Sequence, residues 1–278
     1  MLTTRFTKGH GTGNDFVILD DPDGLDLTEQ LVRWLCDRRF GIGGDGLLRA
    51  VRAGDVPEWT GDPNLWFMDY RNADGSIAQM CGNGLRVFAR YLTTRGLLEG
   101  AEADIATRAG VKHVRLLDDG LVRADLGPVR VLDDAVDISC GGRVRAARPA
   151  DVGNPHAVVL LDPDEHVADL DLTVAPTWQP RGVFPEGVNV EFVEPLDGDR
   201  VRMRVHERGV GETLSCGTGT AAVAAVMAAT TGRLGPWTVE VPGGTITVDL
   251  DGGAALIGPA VLVATGEVTL PDSLDLAR

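Results

Sequence analysis

The sequence lacks any apolar run that approaches the ~18 consecutive apolar residues of a membrane-spanning helix. Its N-terminal stretch also lacks the apolar core and the cleavage site of a secretory signal peptide. Apolar residues make up 44% of the 278 residues, and the mean hydropathy is near zero, as is typical of a soluble globular protein. We therefore expect a cytoplasmic protein without a membrane partner, long enough for two domains with full cores.

Clusters of basic residues are also missing. Lysine and arginine number 26 against 41 aspartate and glutamate residues, which gives a formal net charge of −15. Because the summed field of such a chain repels polyanions, the sequence argues against nucleic acid and anionic lipid as partners. An anionic substrate would have to be held by local donors, such as helix N-termini or single arginines.

Cysteine is scarce, and the four cysteines form no Cys-x-x-Cys pair. Zinc-ribbon and thioredoxin-type functions therefore have no support, and a cytosolic protein of this size is not expected to carry structural disulfides. Cys36 lies in a predicted amphipathic helix, and Cys140 lies beside two glycines at a predicted strand end. We interpret both as small buried hydrophobic residues.

The remaining two cysteines lie in stretches of another kind. Cys216 stands in Ser-Cys-Gly-Thr-Gly, directly before the Ala-rich segment 220–230, which contains neither proline nor glycine. This pattern predicts a thiol at the start of a helix. Backbone N–H groups without partners and the positive end of the helix dipole favour a thiolate there. The sequence thus predicts a reactive cysteine.

The stretch around Cys81 repeats this layout, with Met-Cys-Gly-Asn-Gly before a helical pattern. Cys81 and Cys216 are 135 residues apart. A second pair of similar stretches, 13–20 and 153–162, is offset by a comparable 140 residues between Asn14 and Asn154. Matches in the same order at similar spacing indicate a duplicated half.

The periodicity of apolar residues predicts an α+β protein. Helices are predicted at 28–39, 85–95 and 220–230. Strands are predicted at 4–8, 15–20, 47–51, 65–70, within 103–126, near 129–131 and 143–148, at 157–161, within 184–193, and at 200–206, 237–241, 245–250 and 260–269.

Each half is expected to be a curved mixed sheet around one central helix, which gives two pseudo-symmetric domains. The first would comprise residues 1–127, completed by 264–278, and the second residues 128–263. The 220–230 helix has no polar side and should be enclosed, whereas 85–95 should be half-buried, with Arg86 away from its apolar face. Segment 53–63 is expected to be an exposed loop.

Two thiols facing one cleft would suit a particular reaction. Inverting a carbon centre requires one group to take a proton from one face while another group returns a proton to the opposite face. Two thiols that differ only in protonation can exchange these roles. Backbone N–H donors at each helix N-terminus, from Gly82, Asn83, Gly217 and Thr218, can stabilise a carboxylate as charge builds on it. The pattern therefore suggests a cofactor-free racemase or epimerase.

Several motifs together resemble those of the diaminopimelate epimerase family. They are Gly-Thr-Gly-Asn-Asp-Phe (11–16), Asn-Ala-Asp-Gly-Ser (72–76), Met-Cys-Gly-Asn-Gly (80–84), Gly-Asn-Pro-His (153–156), Gly-Val-Asn-Val-Glu (187–191), Glu-Arg-Gly-Val-Gly-Glu-Thr (207–213) and Ser-Cys-Gly-Thr-Gly (215–219). The resemblance implies that family's two-domain fold and a homodimer. It also implies interconversion of LL- and meso-2,6-diaminopimelate without pyridoxal phosphate or metal, in lysine and peptidoglycan-precursor synthesis.

The resemblance also implies roles for individual residues. Cys81 and Cys216 would be the acid and base, and His156 and Glu207 would lie near the thiols. Glu207 would also contact the substrate. The other substrate-binding residues would be Asn14, Asn72, Gly82, Asn83, Asn154, Asn189, Arg208, Gly217 and Thr218, with Arg208 at the distal carboxylate.

Arg71 departs from the family pattern, because many relatives have an aromatic residue there. Three alternatives stay open: a proline or hydroxyproline racemase with the same thiol pair, a phenazine-type isomerase of similar fold, and a redox protein in which Cys81 and Cys216 form a switchable disulfide. The cysteine pair argues against the phenazine-type isomerase. Activity on each substrate and the effect of oxidation separate the other two.

Overall fold

The computed structural model describes residues 3–20 and 24–271. These residues form three α-helices: α1 (Glu29–Cys36), α2 (Gly82–Thr94) and α3 (Gly217–Thr231). The strands are β1 (Thr3–Gly11), β2 (Asn14–Asp20), β3 (Gly46–Arg52), β4 (Trp66–Asn72), β5 (Glu102–Thr107), β6 (Gly110–Leu116), β7 (Val122–Gly127), β8 (Arg130–Val131), β9 (Val136–Cys140), β10 (Arg143–Asp151), β11 (Pro155–Leu160), β12 (Thr177–Gln179), β13 (Asn189–Pro195), β14 (Arg200–Glu207), β15 (Gly211–Thr213), β16 (Trp237–Val241), β17 (Gly244–Asp249), β18 (Ala254–Gly258) and β19 (Val261–Thr269). The predicted α+β class is confirmed.

The chain divides into two compact units. The first contains the chain up to Ala124 and the segment from Pro259 onward, and the second contains Asp125–Gly258. In the first unit the strands pair in the order β19-β1-β2-β3-β4-β5-β6-β7. The pairs β2–β3 and β4–β5 are parallel, and the other pairs are antiparallel.

The second unit repeats this topology. Its main sheet runs β10-β11-β13-β14-β16-β17-β18, with β11–β13 and β14–β16 parallel and the other pairs antiparallel. From β1 and from β10 onward, the order of parallel and antiparallel pairs is therefore the same in both units. Helix α2 connects the strands of one parallel pair, β4 and β5, and α3 connects the equivalent strands, β14 and β16. This correspondence supports the duplication inferred from the sequence.

Each of these two helices packs against several strands of its own unit. Helix α3 is buried from Gly217 to Ala228 except at the half-buried Thr218 and Ala225, in keeping with its Ala-rich composition, and Gly232 in a left-handed conformation ends it. Helix α2 is more deeply buried than predicted, because even Arg86 is fully buried. The apolar cluster around α2 includes Phe16, Leu48 and Phe88.

The structure corrects the sequence reading at several other points. Strands β12, β15 and β18 are additional to the predicted set, whereas β9 ends at Cys140, where a strand end was predicted. Helix α1 ends at Cys36 rather than near residue 39. Segment 53–63 is not an exposed loop throughout, because it begins with a 3₁₀ turn in which Ala53 is buried, and Val56 is buried against Phe67 and Ala106. Among the described residues, no helix has the length and apolar character needed to span a bilayer.

Candidate active site

Both repeated cysteines are helix N-cap residues. Cys81 precedes α2 and Cys216 precedes α3, each with extended backbone angles. Each Sγ accepts a hydrogen bond at 3.4 Å from the backbone N–H three residues further on, at Gly84 and Gly219. The first N–H groups of a helix have no acceptor within the helix, and the dipole is positive there. The predicted position of both thiols at helix N-termini is confirmed.

The thiol of Cys81 faces a side-chain amide from β2. Cys81 Sγ donates to Asn14 Oδ1 at 3.6 Å, and Asn83 Nδ2 donates to the same oxygen at 3.4 Å. Asn14 Nδ2 in turn donates to Asp45 Oδ2 at 2.9 Å. The structure thus brings three predicted site residues, Asn14, Cys81 and Asn83, into one hydrogen-bonded group. It adds Asp45, which the sequence places only in a Gly-rich loop.

A chain of polar side chains leads from Cys216 into the interior of the second unit. Cys216 Sγ lies 3.5 Å from Thr218 Oγ1, which accepts from Asn154 Nδ2 at 3.3 Å. Asn154 Oδ1 lies 3.1 Å from His156 Nε2, and His156 Nδ1 lies 2.7 Å from Glu191 Oε1. Because both ring nitrogens have partners, the orientation of the His156 ring is fixed from two sides.

Glu191 is a member of this chain that the sequence reading did not select. It is fully buried on β13. A Cβ atom at Gly219 would lie 2.7 Å from Glu191 Oε1, so only glycine leaves room for this carboxylate beside the first turn of α3. The signal in the sequence was the last residue of the Gly-Val-Asn-Val-Glu motif.

Burial and two nearby carboxylates raise the pKa of the Cys216 thiol. Burial raises the pKa of Glu207, the charge of Glu191 raises it further, and the hydrogen bond from Thr213 acts in the opposite direction. Burial raises the pKa of Cys216 well above its usual value, and the charges of Glu207 and Glu191 add to this. The helix N-terminus favours the thiolate of Cys216, whereas burial and the two nearby anions favour its thiol form.

Asn189 fixes the loop that carries Arg208. Its Oδ1 accepts the backbone N–H of Arg208 at 2.9 Å, and its Nδ2 donates to the carbonyl oxygen of Pro155 at 3.3 Å. The guanidinium of Arg208 is exposed and contacts the carbonyl oxygen of Glu186 at 3.5 Å. Asn189 therefore joins the turn that begins at Arg208 to the Gly-Asn-Pro-His segment.

Asn72 ends β4 and bonds within its own turn. Its Oδ1 accepts from the Tyr70 hydroxyl at 2.9 Å, and its Nδ2 donates to Ser76 Oγ at 3.0 Å. The neighbouring Arg71 pairs with the buried Asp69 at 3.0 Å. The side chain that departs from the family pattern thus belongs to an ion pair with the interior of the first unit.

The other two cysteines are buried, at 4% exposure for Cys36 and 6% for Cys140. Burial raises the pKa of Cys36 to about 12, so this thiol is inert at neutral pH. Their interpretation as buried hydrophobic residues is confirmed. In the described part of the chain, no group of three or more His, Cys, Asp or Glu side chains is arranged to hold a metal ion.

Comparison of the sequence with known families matches residues 6–132 and 149–271 to the family described as diaminopimelate epimerase. This chain belongs to the diaminopimelate epimerase family. A diaminopimelate epimerase from Corynebacterium glutamicum is 50% identical over 282 residues, which cover 97% of this chain and 99% of that protein. One from Thermobifida fusca is 51% identical over 274 residues, which cover 96% and 98% of the two chains.

Solved structures of proteins with low sequence identity share the fold. A protein of the phenazine biosynthesis PhzF family from Bacillus anthracis matches with a TM-score of 0.71 and 18% identity, covering 97% of this chain and all of that one. A hydroxyproline epimerase from Agrobacterium vitis matches with a TM-score of 0.69 and 16% identity, covering 98% and 94%. At such low identity these matches establish the fold alone.

Proposed function

We infer that this chain catalyses the epimerisation of LL-2,6-diaminopimelate to meso-2,6-diaminopimelate, in lysine and peptidoglycan-precursor synthesis. The observation that carries the inference is the cysteine at the N-terminus of the equivalent helix in each duplicated unit. The relatives' shared name supplies the substrate. An α-proton beside a carboxylate is weakly acidic, so its removal needs a base in contact and stabilisation of the carbanion.

In the proposed mechanism, Cys81 and Cys216 approach the α-carbon from opposite faces. One sulfur, as thiolate, takes the α-proton and forms an S–H bond, and the electron pair of the broken C–H bond delocalises toward the carboxylate. The other sulfur, as thiol, gives its proton to the opposite face of the carbanion. The centre is inverted and the two cysteines have exchanged protonation states, so the same pair also catalyses the reverse reaction.

The substrate would be held by groups that both units supply. We propose that backbone N–H groups at the starts of α2 and α3 bind the reacting carboxylate as its charge grows; they belong to Gly82, Asn83, Gly217 and Thr218. Arg208 can bind the distal carboxylate through two parallel hydrogen bonds. The side chains of Asn14, Asn72, Asn154 and Asn189 would bind the polar groups of the substrate.

His156 and Glu207 would act beside Cys216. His156 is held toward Asn154 and Thr218 by Glu191, and it would orient these groups around the thiol. Glu207 contributes to the raised pKa of Cys216. We propose that the Glu207 carboxylate binds the substrate ammonium. The positive charge of the ammonium would offset the negative charge that opposes formation of the Cys216 thiolate.

The family resemblance supports further proposals. We propose a cytoplasmic homodimer, domain limits at 1–127 with 264–278 and 128–263, and catalysis without a cofactor. Light scattering after size-exclusion chromatography tests the dimer, and cell fractionation tests the location. Turnover that survives dialysis against a metal chelator, without added pyridoxal phosphate, would support the absence of a cofactor, and loss of turnover would contradict it.

Comparing turnover of three substrates tests the function most simply. Purified protein is incubated separately with LL-diaminopimelate, L-proline and trans-4-hydroxy-L-proline, and the stereochemistry of the products is read by chiral chromatography. We expect meso-diaminopimelate from the first and unchanged imino acids from the others. Inversion of proline or hydroxyproline without turnover of diaminopimelate would assign the chain to the racemase alternative.

A further inference from the structure

Arg86 is a fully buried cation on the same helix as Cys81. Its Nη2 donates to Asn83 Oδ1 at 3.1 Å and to Thr12 Oγ1 at 3.4 Å. Its Nε and Nη1 have no hydrogen-bond partner among the described residues. Burial lowers the pKa of Arg86 to about 10, so the guanidinium is charged at neutral pH. Burying a charged group whose donors are not all paired costs folding free energy. A functional role for Arg86 would explain why this cost is tolerated.

The backbone of β1 passes close to the side chain of Arg86. A Cβ atom at Gly11 would lie 3.2 Å from Arg86 Nη2 and 3.2 Å from the carbonyl oxygen of Asn83. Glycine at this position therefore allows β1 to pass close to the guanidinium. Gly11 belongs to the same Gly-Thr-Gly-Asn motif that carries Asn14. This motif therefore contacts both Arg86, through Gly11, and Cys81, through Asn14.

The hydrogen bonds of Arg86 fix the orientation of Asn83. A guanidinium is a donor only, so Asn83 must turn its Oδ1 toward Arg86. Its Nδ2 then faces Asn14, to whose Oδ1 it donates at 3.4 Å. Asparagine amides are otherwise free to exchange their oxygen and nitrogen by a half turn.

Asp45 fixes the orientation of Asn14 from the other end. An ionised carboxylate is an acceptor only, so Asn14 must turn its Nδ2 toward Asp45, to which it donates at 2.9 Å. Its Oδ1 is thereby directed at the sulfur of Cys81, 3.6 Å away. Arg86, which can only donate hydrogen bonds, and Asp45, which can only accept them, thus fix the orientations of both side-chain amides, those of Asn83 and Asn14.

We propose that Arg86 and Asp45 are positioning residues for Cys81: through Asn83 and Asn14 they hold an amide oxygen, rather than an amide N–H, against its sulfur. This deepens the proposed function, on which it rests, by naming the groups that set the proton affinity of one catalytic thiol. Asn14 Oδ1 accepts a hydrogen bond from the S–H group of Cys81, which favours the thiol form of Cys81. The positive charge of Arg86 favours the thiolate.

Several other charged and titratable groups lie in this part of the first unit, and one of them, His10, accepts the backbone N–H of Gly13 beside Asn14. Asp45 and Asp15 share the guanidinium of Arg38, and Asp15 also pairs with Lys8 at 2.6 Å. The phenol of Tyr70 belongs to the apolar cluster against which Cys81 packs. Asp45 is the carboxylate of this set that bonds to the Asn14 side chain.

The test is the pH profile of Cys81 alkylation. Protein without substrate is treated with iodoacetamide from pH 6 to pH 10, and the alkylated Cys81 peptide is quantified by mass spectrometry. Only the thiolate reacts, so the midpoint of the profile reports the proton affinity of this sulfur. The variants are Asp45→Asn, Arg86→Met and Arg86→Lys. The matched controls are Arg90→Met, one turn along α2, and Asp37→Asn, at the end of α1.

The two positions should move the midpoint in opposite directions. Asp45→Asn removes an anion and frees Asn14 to present its N–H, so the midpoint should fall by about 0.5–1 pH unit, whereas Arg86→Met should raise it by a similar amount. Arg86→Lys should restore most of the parental midpoint, and both controls should keep it. Loss of packing alone would not produce shifts of opposite sign.

An unchanged midpoint in Asp45→Asn, or a shift of both variants in the same direction, would overturn the proposal. If Arg86→Met does not fold, the Asp45→Asn result decides, because Asp45 is half exposed and its substitution removes no buried group. Alkylation requires no turnover. A chain that fails to epimerise diaminopimelate but shows these shifts would therefore refute the proposed function and leave the positioning of Cys81 intact.

Discussion

His156 Nδ1 lies 2.7 Å from Glu191 Oε1, and both side chains are fully buried on β11 and β13, which pair in parallel. Strand β13 also carries Glu194, whose Oε1 lies 3.0 Å from Nδ1 of His166 in a second pair of this type, with His166 60% exposed. The two pairs share their chemistry and differ in burial. Each can therefore serve as the control for the other.

Replacing the buried carboxylate should affect both stability and turnover. We expect Glu191→Gln to lower the free energy of unfolding by about 1–3 kcal/mol, because it weakens a buried charged hydrogen bond. We expect kcat/KM to fall by up to about 100-fold, the loss typical of a site group displaced by about an ångström. Urea unfolding and steady-state kinetics measure the two effects. Glu194→Gln should change little in either, and equal effects of the two variants would contradict a special role for the buried pair.

Glu207 should limit stability at neutral pH. Burial raises its pKa in the folded state, so the folded protein binds more protons than the unfolded protein between the ordinary and the raised pKa. Its contribution to stability therefore decreases as the pH rises through that window. Glu207→Gln should be more stable than the parent above the raised pKa and equal to it below pH 4, while its activity falls.

Thermal unfolding at a series of pH values measures this difference. Glu212→Gln is the matched control, because its carboxylate pairs with Arg204 on the neighbouring strand and should produce no such gain at high pH. A Glu207→Gln variant that is less stable than the parent at pH 8 would contradict the assigned direction.

Arg208 should act on binding. We expect Arg208→Ala to raise KM for diaminopimelate about 10- to 100-fold, the cost of losing charge-assisted hydrogen bonds of about 1.5–3 kcal/mol. Arg208→Lys should recover only part of this, because an ammonium cannot bind a carboxylate through two parallel bonds. Arg202→Ala, on the same chain segment and paired with Glu240 at 2.8 Å, should keep the parental KM. An unchanged KM in Arg208→Ala would rule out the distal-carboxylate role.

Each of the two cysteines that the proposed mechanism uses should be indispensable. Cys81→Ala and Cys216→Ala should each lower kcat by at least about 10²–10⁴-fold, because each removes the proton carrier of one face. Cys36→Ala and Cys140→Ala remove buried thiols that the mechanism does not use, so the folded fraction of these variants should turn over at the parental rate. Initial rates corrected for folded protein by circular dichroism measure all four. Normal turnover without Cys81 or Cys216 would eliminate the two-base mechanism.

The sequence predicted the parts of this protein that follow from local pattern. The helix starts at Cys81 and Cys216 were readable because Gly-rich turns precede apolar or Ala-rich segments. Strand β18 was missed because its few apolar residues follow directly on a Gly-Gly turn. The topological repeat, with parallel pairs at equivalent places in both units, requires long-range pairing that no local pattern encodes.

Burial of polar residues was the main source of error at the site. Arg86 occupies a helical position whose neighbours suggested the polar face, and only the bonds to Asn83 and Thr12 explain why it is enclosed. Glu191 alternates with apolar residues along β13 as an exposed residue would. Its partner His156 is distant in sequence. The sequence showed the helix N-terminus that favours a thiolate at Cys216, but not the burial and the two carboxylates that oppose it.

The most direct test of two-base epimerisation uses heavy water. The protein is incubated with LL-diaminopimelate in D₂O, and early time points are examined by NMR and mass spectrometry. Because one thiol removes the α-proton and the other delivers a solvent-derived proton, the first meso product should carry deuterium at one α-carbon, and the recovered LL substrate should carry none. Early meso product that retains protium at both α-carbons would contradict the account.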